Sequence, residues 1–144
     1  MNSRPDFACE AMITKFSSSD ITASSSFYTD ILGFQVDPHY TINAGGNYGA
    51  YSYVQFNGPH GSRIVIGLFK DIDRPFPEPG LDSPPAGTAP TFLVPDIDAA
   101  RAYLANAGVP TGKNIKSVSD AGYTDIIFLF VDPDNNLLVA RMNV

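Results

Sequence analysis

Two stretches of this chain are variants of one another, and that repetition limits the folds open to it. Residues 20–34 read DITASSSFYTDILGF and residues 96–109 read DIDAARAYLANAGV. Each copy opens on Asp-Ile, carries an aromatic seven residues after the Asp (Phe27, Tyr103) and closes on a glycine (Gly33, Gly108); the first copy is one residue longer. An aspartate at an N-cap accepts from the N–H groups that a first helical turn leaves orphaned, and a glycine at C′ takes a left-handed conformation that a Cβ disfavours. The pattern predicts a capped helix of about three turns in each copy. The segments after the two helices also repeat, with FNGPHGSRIVIGL from Phe56 matching VDPDNNLLVARM from Val131. A long repeat present only twice is not a solenoid, whose short units stack several deep. It predicts an α+β fold of two tandem βαβββ modules forming a curved mixed sheet around a cavity, with the helices outside. The expected divisions are a first module at 8–69, a Pro-rich linker at 70–88 and a second module at 89–144, together one domain over 1–144.

Composition narrows the function classes. A chain of 144 residues with 44% hydrophobic content can bury a core as one domain. Nine basic residues against 15 acidic ones give a net charge of −6 and no basic stripe, which excludes a nucleic-acid partner and favours neutral or cationic small molecules. Cys9 is the only cysteine, so no intrachain disulfide forms. The opening MNSRPDFACEAM lacks the apolar run of a secretory signal, and no segment approaches the ~18 apolar residues of a membrane span. The expectation is a soluble, cytoplasmic protein with no membrane partner.

Alternation sets the expected strand faces. Within 8–17, Met12, Thr14 and Phe16 alternate with Ile13, Lys15 and Ser17. Phe16 is the expected partner of Phe27 and Ile31 on the helix, which turns Ile13, Lys15 and Ser17 the other way. A second strand, FQVDPHYTI, is broken or bulged at Pro38, and NAGGNYG at 43–49 reads as a loop. Tyr51, Tyr53 and Gln55 form one set of a third strand. In RIVIGLF, Ile64, Ile66 and Leu68 belong under the helix, with Arg63, Val65 and Gly67 opposite. In the second module, Thr91 and Leu93 alternate with Phe92 and Val94. A weak strand lies within 112–119. Tyr123, Asp125, Ile127 and Leu129 then share one face, with Phe128 and Phe130 on the other, and LLVARMNV is the last strand.

The string SFYTDILGF, the later VPDIDAARAYLANAGV and the DPDNN turn at 132–136 together resemble the vicinal oxygen chelate superfamily of glyoxalases, extradiol dioxygenases, fosfomycin-resistance enzymes and bleomycin-resistance proteins. The resemblance spans nearly the whole chain from about Met12. In metal-using members it implies one ligand on the first and one on the last strand of each module. Counting from the helix-leading aspartates and the DPDNN turn, those positions are Ile13, Val65, Ala89 and Val139. Aliphatic side chains offer a divalent ion no lone pair, so the expectation is no metal and no cofactor. His39, His60 and Glu10 lie off the expected inner face and do not replace the missing ligands.

What remains resembles the bleomycin-resistance type, a homodimer that sequesters a flat aromatic compound. The candidate ligand-binding residues are Lys15, Tyr51, Tyr53, Arg63, Tyr123, Asp125 and Arg141, aromatic and charged groups around an apolar floor. Each also has a structural role open to it: Lys15 as a snorkelling edge residue, the arginines in ion pairs, the tyrosines in sheet packing or a dimer interface. A charged Asp125 in an apolar strand must be exposed, paired or functional. The alternative is a metal-free or metal-dependent enzyme of the same superfamily, a lyase, isomerase or dioxygenase. In its metal-free form Asp125 or His39 would act as general base, with Lys15 or an arginine steadying an oxyanion. A third reading is an accessory protein whose tyrosine face meets another chain.

Overall fold

The structure is a computed structural model that describes residues 3–7, 11–39, 41, 51–57, 63–85 and 87–144, with 51–57 as backbone alone. It divides into two compact units, Met1–Asp73 and Arg74–Val144.

The first unit runs β1 (Ile13–Ser18), α1 (Ile21–Ser26), a π-helical turn (Phe27–Ile31), β2 (Gln35–Val36), β3 (Tyr51–Asn57) and β4 (Arg63–Lys70). Its sheet has the order β1-β4-β3-β2, with β1 parallel to β4 and the other neighbours antiparallel. Strand parity follows the alternation: Phe16, Ile66 and Leu68 are buried, and the ring of the fully buried Tyr28 stacks on Phe16 at 5.7 Å. Phe27 meets the same tyrosine edge-on at 5.1 Å, and Phe34 stacks on it at 5.8 Å. Tyr28, which the sequence pattern did not single out, is the aromatic stacked on Phe16.

The one-residue difference between the copies is taken up inside the first helix. Both helices start on the expected caps, Ala23 N–H donating to Asp20 Oδ1 at 3.2 Å and Ala99 N–H to Asp96 Oδ1 at 3.0 Å. Both end at left-handed glycines, φ 81° at Gly33 and 79° at Gly108. Between these fixed ends the first copy has one residue more, and it is absorbed by the π turn, in which Leu32 N–H donates to Phe27 O at 3.2 Å. The first helix is thus six α-helical residues and a π turn rather than three even turns. Counted from the caps, Tyr28 matches Leu104, and both are buried, whereas Phe27 is buried and its counterpart Tyr103 is 53% exposed.

The second unit runs β5 (Thr91–Leu93), α2 (Ile97–Asn106), β6 (Ile115–Val118), β7 (Thr124–Val131) and β8 (Leu137–Asn143), in the sheet order β5-β8-β7-β6. Again the first strand pairs in parallel with the last, β5 with β8. Phe128, Phe130 and Leu138 form its buried core with Ile97 and Leu104 of α2, and Phe92 adds a ring 6.4 Å from Phe130. The described strands thus lie in two four-stranded sheets, one in each unit.

The proline-rich tract does not hang free, because its described part from Arg74 belongs to the second unit. Phe76 N–H donates to Asp134 O at 3.0 Å, and Asn135 Nδ2 donates to Phe76 O at 2.7 Å. Farther on, Lys113 N–H donates to Asp82 Oδ1 at 2.9 Å, and Leu81 lies directly against the Cα of Gly112. The DPDNN turn that receives Phe76 is organised by the buried carboxylate of Asp132. It accepts from the backbone N–H groups of Asp134 and Asn136 and from Asn136 Nδ2, all at 2.9 Å, while Asn135 sits at φ 64°. Among the described residues no helix is long and apolar enough to cross a membrane.

Candidate functional site

On each sheet one face packs beneath the helix, and the rows of Lys15 and of Asp125 and Arg141 lie on the other. In the first unit Ile13 pairs with Val65, Lys15 with Gly67 and Ser17 with Phe69. Across β4, position 53 pairs with Gly67 and position 51 with Phe69, so Tyr51 and Tyr53 occupy register positions beside the Lys15 row. Val65 is buried and Ile13 is 53% exposed, so the row is closed at its centre and open at the β1 edge.

Lys15 carries the polar chemistry of this face. Its ammonium makes a short ion pair with Asp71, just past β4, donates to Ser17 Oγ at 3.2 Å and sits 5.8 Å from the Phe69 ring centroid. Burial pushes the Asp71 carboxyl up. The hydrogen bonds from Lys15 and Ser17, with the lysine's charge, together outweigh that and hold it below the ordinary aspartate range. Lys15 therefore does not end as a bare cation over an apolar surface. Arg63, at the start of β4, is exposed.

In the second unit the corresponding rows are Thr91 with Val139 and Leu93 with Arg141 on one side, and Leu129 with Val139, Ile127 with Arg141 and Asp125 with Asn143 on the other. Leu129 and Val139 are buried, a closed aliphatic centre like that at Val65. Arg141 Nη2 lies 3.6 Å from Asp125 Oδ2, and Arg141 Nε donates to Asn143 Oδ1 at 2.8 Å. Asp125 is thus a paired acid. Tyr123 is not part of this row: β7 begins at Thr124, because the turn closed by Gly122 (φ 85°) and the Ser119–Tyr123 backbone bond of 2.7 Å holds Tyr123 in the hairpin, 76% exposed.

The register also corrects one of the four positions read from the resemblance. Val65 and Val139 occupy matching places on β4 and β8, and their parallel-strand partners are Ile13 and Thr91. Ala89 precedes β5, so the counterpart of Ile13 is Thr91. The set becomes Ile13, Val65, Thr91 and Val139, with three hydrocarbon side chains and one hydroxyl, and these residues do not fit a divalent ion. His39 is a surface residue, its ring 84% exposed and its Nδ1 3.3 Å from Asp37 Oδ1. Glu10 and His60 lie outside the described residues. Two features escaped the sequence reading: Asp71, hidden in the tract taken for a linker, and the buried Asp132, whose D-x-D-N-N context is the one signal that could have marked it.

The sequence profile of the glyoxalase/bleomycin resistance protein/dioxygenase superfamily matches residues 13–140, from the first residue of β1 into β8. The chain belongs to this superfamily. Solved structures agree on the vicinal oxygen chelate fold. A glyoxylase/bleomycin resistance protein/dioxygenase domain from a Frankia species is 20% identical, with a TM-score of 0.62 over 92% of this chain and 89% of that one. An antibiotic binding protein from a Streptomyces species is 18% identical, with a TM-score of 0.58 over 94% and 98%. A genomically encoded fosfomycin resistance protein from Listeria monocytogenes is 12% identical, with a TM-score of 0.63 over 94% and 93%. A search of curated protein sequences returns no match. At these identities the likeness establishes the fold of this superfamily member, and its chemistry rests on its own residues.

Proposed function

We propose that this superfamily member binds a small aromatic molecule without a metal, as a sequestering or resistance protein rather than a metalloenzyme. The observation that carries the proposal is the chemistry at the paired positions, Ile13 with Val65 in the first unit and Thr91 with Val139 in the second, none of which offers the imidazole or carboxylate that a metal needs. Support comes from the polar groups on the same faces. Lys15–Asp71 and Arg141–Asp125 are net-neutral pairs, suited to orienting a neutral or cationic ligand by hydrogen bonds rather than to capturing an anion. The similarity to an antibiotic binding protein and to a fosfomycin resistance protein fits this class without naming the ligand. The proposal includes a homodimer, which would cover the sheet edges at β1 and β5.

The test is tyrosine fluorescence, available because the chain has seven tyrosines and no tryptophan. The protein is titrated with planar aromatic antibiotics before and after exhaustive chelation. Saturable quenching that chelation leaves unchanged is expected, with a rise in melting temperature on ligand addition. Stoichiometric metal in the purified protein, or binding that chelation abolishes, would overturn the proposal. Sedimentation equilibrium showing only monomer would remove the dimer.

A further inference from the structure

A groove of about 350 Å3 lies beside α2 in the second unit, lined by Asp98, Arg101, Ala102, Ala105 and Thr111. The helical spacing of the first four places them on one stripe, and Thr111 comes from the segment that returns past the helix after Gly108. Two bonds tie the helix to that segment. Arg101 Nε donates to Gly112 O at 2.8 Å, and Asn114 Nδ2 donates to Asp98 Oδ1 at 3.0 Å.

These bonds give the groove its chemistry. Arg101 is held through Nε, which fixes the guanidinium plane, and among the described residues its two Nη groups are left to present a planar donor fork. Asp98 is held through one carboxylate oxygen and keeps the other. Each charge has its own partner on the returning segment, so acid and guanidinium remain separate features of one small groove. The methyl groups of Ala102 and Ala105 supply an apolar surface beside them, and Thr111 adds a hydroxyl. A simple anion would be drawn to Arg101 and repelled by Asp98, and a simple cation would meet the reverse. A molecule carrying both charges a few atoms apart satisfies both.

We infer that this groove binds a small zwitterion of the α-amino-acid class. The carboxylate sits on the Arg101 fork, the ammonium on Asp98 and a short apolar side chain over Ala102 and Ala105. Its volume falls at the lower end of the ~300–1,000 Å3 typical of small-molecule sites. None of the lining residues belongs to the sheet row that holds Arg141.

The test is an amide chemical-shift titration of the isotopically labelled full chain with L-leucine, N-acetyl-leucine, leucine methyl ester and acetate. L-leucine is expected to shift the amides of Arg101, Ala102, Ala105 and Gly112 saturably, with a Kd on the order of 1 mM. The three compounds that lack one charge should bind at least about tenfold more weakly. Arg101→Gln should abolish the shifts. Ala102→Leu, at an exposed helical position where leucine is well tolerated, fills the groove and should abolish them without lowering the melting temperature. Absence of saturable shifts with L-leucine, equal shifts with acetate, or unchanged binding in Ala102→Leu would each overturn the inference.

Discussion

Gly112→Ala tests how tightly the proline-rich tract is seated on the second unit. An ideal Cβ built at Gly112 falls 1.8 Å from the carbonyl oxygen of Leu81 and 2.6 Å from its carbon. Close carbon–oxygen contacts lie near ~3.3 Å, so backbone must move by about 1.5 Å. If the tract lifts, it gives up the Lys113 N–H to Asp82 bond and the packing of Leu81. If Gly112 retreats, it strains its bonds to Leu129 O and from Arg101 Nε, both 2.8 Å. Either route costs about 1–3 kcal/mol, the usual range for overpacking. For a chain of 144 residues this lowers the melting temperature by roughly 2–4 °C per kcal/mol. Gly80 is the control: a Cβ there meets nothing within 4 Å, so Gly80→Ala should be neutral or stabilise by about 0.4–1 kcal/mol. Urea unfolding of both variants reads the difference. A Gly112→Ala protein as stable as the parent would show that Leu81 does not rest on Gly112.

Asp132→Ala removes the acceptor of three hydrogen bonds in the DPDNN turn, two of them from backbone N–H groups; a loss of about 2–4 kcal/mol is expected in the same unfolding assay. Asp20→Ala and Asp96→Ala each remove an N-cap acceptor and should cost about 1 kcal/mol, near-additively because they lie in separate units. The depressed Asp71 carboxyl contributes stability above its unfolded pKa, and that contribution is lost as pH falls through its lower folded value, in the acid range below about pH 4. Both partners are more than a third exposed, so the gain is at most about 1 kcal/mol. Carboxyl NMR should show Asp71 titrating below ordinary aspartates and moving up in Lys15→Met, where burial acts with less opposition.

The sequence carried the parity of the strands well, because a face exchanged by one residue would put Phe16, Ile66 or Phe128 in water. It carried the helix ends equally well, since the aspartates and glycines that cap them are local signals. Distances along the chain were less legible. Ile13 stands seven residues before its helix cap and Thr91 only five before its own, so counting from the cap lands on Ala89, two residues early. An error of two preserves the face while changing the residue, which is why alternation gave no warning. Asp71 was not legible as the partner of Lys15, because the pair closes across 56 residues and depends on where β4 stops. Tyr123 was misplaced for a local reason: the Gly122 turn uses the residue that the alternation assigns to the strand.

The π turn in the first helix bears on how such a chain tolerates changes of length. An added residue in a strand inverts every side chain beyond it, but here the addition was confined between a fixed cap and a fixed glycine and rotated only the middle of one helix. Where the two helices part, Phe27 is buried while its counterpart Tyr103 is exposed. Removing the exposed Ser26 should restore an even α-helix of the second helix's length, and the other strands need not shift to accommodate it. Insertions and deletions in this family member are thus predicted to collect between the cap and the glycine, where a helix can take up slack that a sheet cannot.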